Sequence, residues 1–456
     1  MGKLNFFNKN KKEEKKKISA HYMTGKEIRE IARANKAEMT RLEKAKNRKV
    51  PQSEYTTELK DANNILEVEN LHSYFFTDQG VVKAVNGVTF SIPANSTVGV
   101  VGESGCGKSV TSMSIMRLLQ GPSGQIVDGS IRFKVSDFKR DEKGNYIPVY
   151  EKDAEGNVVY ETVLDAKGEP KLDKAGKPIV KPKQVVDANG IGVFEQEETV
   201  LDIAKMPIKE MYRLRGRQMA MVFQEPMTSL NPVFTIGNQL DEVSLLHVPG
   251  ATNEFAKKRS IEMLNLVGIA MPERVYASYP HELSGGMRQR VMIAMALAGE
   301  PRLIIADEPT TALDVTIQAQ ILDLFNDLKN KINSSILLIT HDLGVIAEMA
   351  DYVVVMYAGR IIEQGTASEI FHNPCHPYTQ GLQKSKPTMK SAGEKLFNIP
   401  GNVPNPVDMP NHCYFKERCS KCIGKCSGEY PCMVQVSPTH YVACHLYENM
   451  CENKEN

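Results

Sequence analysis

A glycine-rich segment between an apolar stretch and a helical stretch does most to limit how this chain can fold. Residues 102–109 read Gly-Glu-Ser-Gly-Cys-Gly-Lys-Ser. The apolar residues 97–101 before it favour a buried strand, and the spacing of apolar residues over 109–119 favours a helix. Glycines at such a junction let backbone N–H groups close around an anion at the helix N-terminus. The segment therefore predicts an α/β fold with a phosphate-binding loop.

This loop matches the full pattern G-x-x-x-x-G-K-[ST], whose residues have distinct tasks. Lys108 is expected to reach the β and γ phosphates of a nucleotide, and the Ser109 hydroxyl is expected to bind Mg²⁺. Cys106 is expected to contribute only its backbone. The residues of this segment predicted to contact the nucleotide are Gly102, Ser104, Gly105, Cys106, Gly107, Lys108, Ser109 and Val110.

A second apolar run, residues 303–306, is followed by two carboxylates, Asp307 and Glu308. Ligands of open α/β sheets gather at the carboxyl ends of the strands. Asp307 is therefore expected to hold Mg²⁺ through water, and Glu308 to polarise an attacking water. The alternative is that the two acids only cap the next helix.

A third segment, residues 283–290, reads Leu-Ser-Gly-Gly-Met-Arg-Gln-Arg. It places Ser284 as an N-cap, with Gly285 and Gly286, ahead of a helix predicted over 287–298. Taken alone, this is an ordinary helix start. Together with the other two segments, its positive N-terminus suits the γ-phosphate of a nucleotide that another subunit binds.

The remaining folded part alternates strands with helices. Residues 65–71 and 81–92 predict paired strands, and the apolar runs 302–306, 335–340 and 352–357, separated by helices, predict a largely parallel sheet. From about residue 134 to 205, Asp-x-x-Gly turns recur between short Val/Tyr/Ile segments. They predict an exposed, hairpin-rich insertion, which is either a tolerated surface loop or a docking surface.

Charge is balanced overall, with Lys+Arg 56 and Asp+Glu 55, but residues 1–49 hold 16 Lys/Arg against 6 Asp/Glu. This basic extension, assigned to residues 1–60, is expected to be disordered or a solvated helix, with attraction to anionic lipid as the alternative. No aromatic residues are interleaved with the charges, so a nucleic-acid partner is not expected. No apolar stretch approaches the roughly 18 residues that span a bilayer, which predicts a cytoplasmic protein.

In order, residues 102–109, 283–287 and 303–308 resemble the Walker A, signature and Walker B sequences of the ATP-binding-cassette (ABC) family. The resemblance covers about residues 65–370. It implies a RecA-like parallel-sheet core, an antiparallel β subdomain and an α-helical signature subdomain. It also implies that ATP and Mg²⁺ are bound, and that two cassettes close head to tail around two ATP molecules.

The same resemblance implies roles for further residues. Gln224 falls in the Q-loop, which senses Mg²⁺ and contacts the membrane subunits. Asp314 falls in the D-loop, and His341 matches the switch histidine. Phe75 is chosen to stack on adenine, with Tyr74 as the fallback. The implied catalytic residues are Glu308, His341, Gln224 and Lys108, and the implied Mg²⁺ ligands are Ser109, Gln224 and Asp307.

The flanking sequences, residues 224–232, 316–320, 376–379 and 399–404, are similar to those of oligopeptide and dipeptide importer ATPase subunits. This similarity implies two permease subunits, a second and related ATPase subunit, an extracytoplasmic peptide-binding protein, and a place on the cytoplasmic face of the membrane. The alternatives are a soluble ABC ATPase and an importer of nickel or another small solute.

The C-terminal extension, residues 371–456, is expected to form a separate unit, and seven of the nine cysteines lie between Cys413 and Cys451. A cytosolic location disfavours disulfides and favours metal binding. The resemblance implies a [4Fe–4S] cluster on Cys413, Cys419, Cys426 and Cys444. Zinc and packed free thiols are the alternatives. Cys422, Cys432 and Cys451 exceed the pattern, so the ligand set stays open.

Overall fold

The computed structural model describes residues 24–165, 168–187, 190–225, 229–311, 315–385 and 397–450. The helices are α1 (Gly25–Lys46), α2 (Lys108–Ile115), α3 (Ile236–His247), α4 (Asn253–Leu266), α5 (Pro272–Ala277), α6 (Gly285–Leu297), α7 (Val315–Ile332), α8 (Leu343–Met349), α9 (Ala367–His372) and α10 (Pro377–Lys384). The strands are β1 (Thr56–Thr57), β2 (Asn64–Thr77), β3 (Gly80–Pro93), β4 (Thr97–Val101), β5 (Gly124–Phe138), β6 (Tyr160–Thr162), β7 (Val180–Pro182), β8 (Gln196–Asp202), β9 (Met219–Val222), β10 (Leu303–Asp307), β11 (Ser335–Ile339), β12 (Tyr352–Tyr357), β13 (Arg360–Thr366), β14 (Val434–Gln435) and β15 (Tyr441–Val442).

A mostly parallel sheet lies at the centre of the fold, with strand order β14-β15-β13-β12-β4-β11-β10-β9. Strands β12, β4, β11, β10 and β9 run parallel, and every residue of β4, β10 and β11 is buried. Apolar runs buried on both faces are typical of parallel strands. The predicted parallel sheet is confirmed, and its strand ends bring the loops after β4, β9, β10 and β11 to one edge.

The helix after β4 is shorter than predicted, since it ends at Ile115 rather than at residue 119. Arg117 turns the chain with a φ of 54°. Its guanidinium donates hydrogen bonds to the carbonyls of Ala204, at 2.8 Å, and Met206, at 3.1 Å. The helix therefore has no further turn, and these bonds hold in place the segment that leads to β5.

A second, antiparallel sheet has the order β1-β8-β5-β2-β3. The predicted pairing of the first two long strands is confirmed, with Leu66 opposite Ile92 and Val68 opposite Phe90. One hydrophobic core contains residues of both sheets together with α2. Another covers the parallel sheet under helices α3 to α8. The phosphate loop therefore starts from a strand with a core on each side.

Helix α1 lies in the basic extension, where disorder or a solvated helix was expected, and most of its residues are exposed. It packs against the antiparallel sheet, with Leu42 buried and the Asn35 amide donating to the carbonyl of Thr77 at 2.8 Å. The Gln125 amide donates to Glu43 at 2.6 Å. This part of the extension is a docked helix because it carries an apolar side chain and polar anchors. The lysine-rich stretch 9–17, and its attraction to lipid, lie outside the described residues.

The hairpin insertion occupies residues 139–195, inside the predicted span, because the sheet continues to Phe138 and resumes at Gln196. Within the insertion, residues from three separate segments of the chain are joined in a ring, each donating a backbone hydrogen bond to the next. Lys139 N–H donates to the carbonyl of Glu195, Glu195 to Ile147, and Ile147 to Lys139, over 2.8–3.1 Å. The same ring recurs at residues 149/185/193, 151/159/183 and 163/171/179.

The Asp-x-x-Gly turns close the hairpins of this insertion. The Asp141 carboxylate accepts from the backbone N–H groups of Lys143, at 2.9 Å, and Asn145, at 2.8 Å. The turns at Asp153 and Asp173 repeat this arrangement. Residues 166–167 and 188–189, inside two further turns, lie outside the described residues. A docking role for the insertion stays a prediction.

The C-terminal extension is not the separate unit that its composition suggested. Strand β15 pairs with β13 and so extends the central sheet. Phe415 is buried, and its ring lies 5.3 Å from that of Tyr357 and 5.4 Å from that of Tyr378. These aromatic contacts join the extension to the core of the cassette.

Candidate nucleotide-binding site

The phosphate loop joins β4 to α2, and its glycines have backbone conformations that other residues rarely adopt. Gly102, Gly105 and Gly107 have φ values of 154°, 78° and 103°. A Cβ atom on Gly102 would lie 2.3 Å from the carbonyl oxygen of Met356, and one on Gly107 would lie 2.3 Å from that of Ala84. Both approaches are too close for any side chain, so glycine is required at these two positions.

The side chain of Lys108 is buried and folded back over the loop. Its Nζ donates to the carbonyl of Gly102 at 2.8 Å and to that of Glu103 at 3.2 Å. An ammonium group has three donors, so a third is left for a phosphate oxygen. The lysine charge thus lies beside the backbone N–H groups at the start of α2.

Ser109 and Asp307 meet at the predicted Mg²⁺ position. The Ser109 hydroxyl donates to Oδ1 of Asp307 at 3.0 Å, and the Ser112 hydroxyl lies 3.4 Å from Oδ2. Burial raises the pKa of Asp307, the Ser109 hydrogen bond opposes this, and the charge of Glu308 adds to the rise. A hydroxyl and a carboxylate are hard oxygen ligands of the kind that Mg²⁺ prefers, so this pair fits the ion.

Glu308 is the point where three separate segments converge. Its carboxylate accepts from the Gln224 amide at 3.1 Å and from the Thr311 hydroxyl at 2.9 Å, and His341 Nδ1 lies 3.3 Å away. Its backbone has a φ of 47°, and its N–H donates to the carbonyl of Ile339. The structure brings together three of the predicted catalytic residues, with the glutamate carboxylate at the centre.

The two aromatic candidates for adenine stacking have different surroundings. Phe75 is half-buried, and its ring edge lies 2.9 Å from where a Cβ atom on Gly124 would be. The hydroxyl of Tyr74 donates to Asn86 at 3.0 Å and lies 3.0 Å from Nδ1 of His72. Because the Tyr74 hydroxyl is held by these hydrogen bonds, Phe75 stays the predicted stacking residue.

The signature segment starts α6, as predicted. The Ser284 hydroxyl accepts from the N–H of Met287 at 3.3 Å, which makes Ser284 the N-cap. A Cβ on Gly285 would meet open space, and one on Gly286 would approach only Ile317. Within the described ranges, no backbone–backbone hydrogen bond joins this segment to the phosphate loop. Asp314 lies outside the described residues.

Sequence reasoning missed two hydroxyl partners of the carboxylates, Thr311 and Ser112. Thr311 lies three residues after Glu308, where its N–H also donates to the Glu308 carbonyl at 3.2 Å. A threonine at that distance from an acid is a signal for a turn contact. Ser112 follows Ser109 by three residues in a helix and so shares its face.

Two family models match the chain. Residues 85–174 and 187–311 match the ABC transporter model, and residues 362–426 match the C-terminal region of oligopeptide/dipeptide transporters. The oligopeptide transport ATP-binding protein AppD of Bacillus subtilis is 42% identical over 85% of this chain and 98% of its own length. This chain belongs to the oligopeptide/dipeptide ABC transporter family of ATP-binding proteins. ABC transporter ATP-binding proteins hydrolyse ATP, and this subunit is an ATP hydrolase.

A second relative agrees with the family. The oligopeptide transport ATP-binding protein OppD of B. subtilis is 44% identical over 84% of the ABC subunit described here and 88% of its own length. An ATP-binding cassette solved as a dimer bound to ADP and phosphate aligns with a TM-score of 0.46 at 20% identity, over 66% of this chain and 98% of that one. Among the residues that the structure describes, no helix of this ABC subunit has the length and apolar character to cross a membrane.

The four cysteines predicted to bind a cluster lie near one another in this ABC subunit. Burial raises the pKa of Cys413 to about 12, and the thiols of Cys426, Cys444 and Cys419 contribute to the rise. Burial also raises the pKa of Cys444, to about 11, where Cys419 and Cys426 act in the same direction. Within the described residues, however, no three of these sulfur atoms lie within 4.8 Å of one another.

That spacing bears on which metal fits. Zinc–sulfur bonds of about 2.3 Å in a tetrahedron bring sulfur atoms to about 3.8 Å from one another. A cluster of four irons separates its thiolates further, because the metal atoms and sulfides lie between them. The sulfur spacing of the described residues therefore does not match a single bound zinc ion, and the cluster stays a prediction.

A buried polar group, Glu363 with Cys375 and His440, also has ligand-type atoms within 4.8 Å of one another. The Glu363 carboxylate accepts from the N–H groups of Cys375, at 2.6 Å, and His376, at 2.9 Å, and from Nε2 of His440 at 2.8 Å. Three donors satisfy this carboxylate, so the group joins β13 to the C-terminal extension without requiring an ion.

Proposed function

We propose that this chain hydrolyses ATP to power the import of oligopeptides or dipeptides through a membrane complex. The observation that carries the substrate class is the match of residues 362–426 to the C-terminal region of oligopeptide/dipeptide transporters. The relatives named oligopeptide transport ATP-binding proteins support the same class. Residues 65–370 would form the ATPase domain, and residues 371–456 the extension typical of these importers.

We assign the roles at the ATP site as follows. Lys108 neutralises charge on the β and γ phosphates, while the loop N–H groups orient them. Ser109, Gln224 and Asp307 hold Mg²⁺, which neutralises phosphate charge when it is bound. Glu308 accepts a proton from the attacking water. His341 holds the Glu308 carboxylate in position relative to the γ-phosphate. The contacts of Gln224 and His341 with Glu308 support this division of roles.

A second cassette would complete the site. The exposed N-terminus of α6, with Ser284, Gly285 and Gly286, offers N–H groups and a positive dipole to a γ-phosphate. The open space beside Gly285 leaves room for a nucleotide held by a partner. Closure around ATP and reopening after hydrolysis would then move the attached permeases. Asp314 would act at this dimer contact.

The complex would contain two permeases, a second and related ATPase subunit, and an extracytoplasmic peptide-binding protein. It would place this chain on the cytoplasmic face of the membrane, held there by the permeases. Gentle purification from native membranes, with mass spectrometry of every stoichiometric companion, tests the assignment. We expect two multispanning proteins and a second cassette.

Transport of the peptide is then measured directly. Reconstituted complex in vesicles, supplied with ATP and a peptide-loaded binding protein, should accumulate labelled peptide only with active ATPase. Isolation with soluble machinery alone would instead favour an ABC ATPase outside transport. Peptide-independent ATPase that responds to nickel would favour the small-solute alternative.

For the cysteines, we propose a [4Fe–4S] cluster on Cys413, Cys419, Cys426 and Cys444. The proximity of these thiols supports it. Because the pKa values of Cys413, Cys419 and Cys444 are raised, cluster binding must release protons. Anaerobically purified protein should contain about four irons and four sulfides per chain, in keeping with this cluster type. Folded protein with no iron would overturn the cluster, and one zinc per chain would favour the alternative.

A further inference from the structure

Glu103, the second residue of the phosphate loop, has all three of its polar groups held by other residues. Its carboxylate accepts two hydrogen bonds from Arg418, at 2.6 and 2.9 Å. Its N–H donates to the hydroxyl of Tyr378 at 2.8 Å. Its carbonyl accepts from Nζ of Lys108 at 3.2 Å. The peptide groups on both sides of Glu103 are therefore fixed in orientation.

Arg418 comes from the C-terminal extension and is itself rigidly placed. Its side chain is only 6% exposed. Its Nε donates to the carbonyl of Pro400 at 2.9 Å, and its guanidinium lies 5.8 Å from the ring of Tyr357 and 5.9 Å from that of Phe415. A planar, bidentate pair between a guanidinium and a carboxylate sets direction as well as distance. Arg418 therefore fixes where the Glu103 side chain points.

Tyr378 reaches the loop from α10, on a different segment. Its side chain is fully buried, with its ring centre 4.8 Å from that of Tyr357. The hydroxyl is thus delivered to the Glu103 N–H by a side chain that has no room to turn. Both groups belong to the C-terminal extension, Tyr378 from α10 and Arg418 from its cysteine-rich part, and they meet on one residue of the loop.

We propose that Arg418 and Tyr378 are positioning residues for ATP binding. They hold the Glu103 peptide so that its carbonyl, together with that of Gly102, places the Lys108 ammonium for the β and γ phosphates. The C-terminal extension is thereby a working part of the phosphate site, although neither residue touches the nucleotide. This inference rests on ATP binding at the phosphate loop.

The test uses Tyr378→Phe and Glu103→Gln in the full chain and in the purified importer complex. Tyr378→Phe removes one hydroxyl, and Glu103→Gln removes the charge that pairs with Arg418 at nearly constant shape. We expect the Kd and KM for MgATP to rise about three- to tenfold in each, the factor typical of one lost hydrogen bond, with kcat within about twofold. Hydrogen exchange should accelerate over residues 102–109.

Matched control variants remove other hydrogen bonds between the extension and the cassette. The Tyr352 hydroxyl donates to the carbonyl of Thr439 at 3.0 Å, and Glu369 accepts from Thr439 at 2.9 Å. Tyr352→Phe and Glu369→Gln should leave the affinity for ATP unchanged. A double variant, Glu103→Gln with Arg418→Gln, should bind ATP no more weakly than Arg418→Gln alone, because both changes break the same pair.

The outcomes separate this inference from the proposed function. Unchanged Kd and loop exchange in both Tyr378→Phe and Glu103→Gln, with active wild-type complex, would overturn the positioning role while leaving ATP-driven transport intact. Equal losses of affinity in the control variants would also overturn it, since any tie to the extension would then have the same effect. If Arg418→Gln unfolds, Tyr378→Phe and Glu103→Gln with their controls still decide whether these contacts position the loop.

Discussion

The hydroxyl of Ser109 donates to Oδ1 of Asp307 over 3.0 Å, although 198 positions separate the two residues in the chain. Strands β4 and β10 end on the same edge of the sheet, with β11 between them. The parallel strands therefore bring the two side chains together. The Ser109 hydroxyl would hold Mg²⁺ directly, and Asp307 would hold it through water.

Ser109→Ala should raise the Mg²⁺ concentration needed for half-maximal ATPase activity. We expect an increase of about 10- to 100-fold, the range typical for partners lost from a metal site. Titration of Mg²⁺ at saturating ATP measures it. The control is Ser112→Ala, whose buried hydroxyl lies 3.4 Å from the other Asp307 oxygen. A larger effect in the control would contradict the assignment of Ser109.

Glu308→Gln should abolish steady ATP hydrolysis while preserving ATP binding. Loss of a general base lowers rates by about 10²- to 10⁴-fold, and glutamine keeps the size of the side chain. Phosphate release by the complex and equilibrium nucleotide binding are the two measurements. The control is Glu348→Gln, because Glu348 is an exposed residue of α8. Hydrolysis at the wild-type rate in Glu308→Gln would remove this residue from the mechanism.

Two glycines of the phosphate loop should respond differently to alanine. Gly107→Ala forces a Cβ to within 2.3 Å of the Ala84 carbonyl, so the loop must move and ATP binding should fall below detection. In Gly105→Ala the new Cβ has open space around it. The only cost is the backbone strain of an alanine at a φ of 78°, about 1–2 kcal/mol. Nucleotide titrations and thermal melts compare them. Similar binding by both variants would contradict the close approach.

Acid should destabilise the fold partly through His376. Burial lowers the pKa of His376 to about 4, while Glu363 opposes the shift. The unfolded chain, with a histidine pKa of about 6.5, therefore takes up this proton first. The stability that neutral His376 contributes is complete above pH 6.5 and is lost as the pH falls from 6.5 through 4, by up to about 1.4 kcal/mol per pH unit.

His376→Asn tests this pH dependence. Asparagine can still accept from the N–H of Tyr378, as Nδ1 of His376 does at 3.0 Å, and so keeps the cap of α10. Chemical denaturation at pH 5 and pH 7.5 should show a smaller difference in the free energy of unfolding for the variant than for wild type. Equal differences would mean that other groups carry the acid sensitivity.

Local sequence patterns were sufficient to predict the helices and strands that carry the site. The apolar runs before Gly102 and Asp307 each predicted a strand, and Ser284 predicted the start of a helix. These signals depend on nearby residues alone. Which motifs meet was foreseen only through the family resemblance. The contact of Arg418 with Glu103, across 315 positions, depends on how the extension packs, and no local pattern encodes it.

The same limit applies to the packing of two other segments. Composition predicted disorder or a solvated helix for residues 26–49, and α1 is a largely exposed helix. The contacts of Leu42 and Asn35 that dock it have no local signal. The cysteine-rich extension seemed separable because its composition changes abruptly. Its aromatic residues nevertheless complete the core, since Phe415 packs on Tyr357 and Tyr378.

Removing the insertion should leave the ATPase intact. Replacement of residues 140–194 by a short Gly/Ser linker keeps Lys139 and Glu195, whose backbones already share a 2.9 Å hydrogen bond. We expect the Kd for ATP and the ATPase rate to stay within about twofold, because β5 and β8 pair along their length without the hairpins. Loss of nucleotide binding would show that the insertion supports the site.

The ring that unites Lys139, Ile147 and Glu195 makes the insertion a module in the evolutionary sense. Its two ends meet at the point where it leaves the sheet, and each Asp-x-x-Gly turn closes a hairpin by itself. A lineage can therefore add or delete whole hairpins without changing the register of β5 and β8. The insertion can therefore change in length while the strands of the antiparallel sheet keep their pairing.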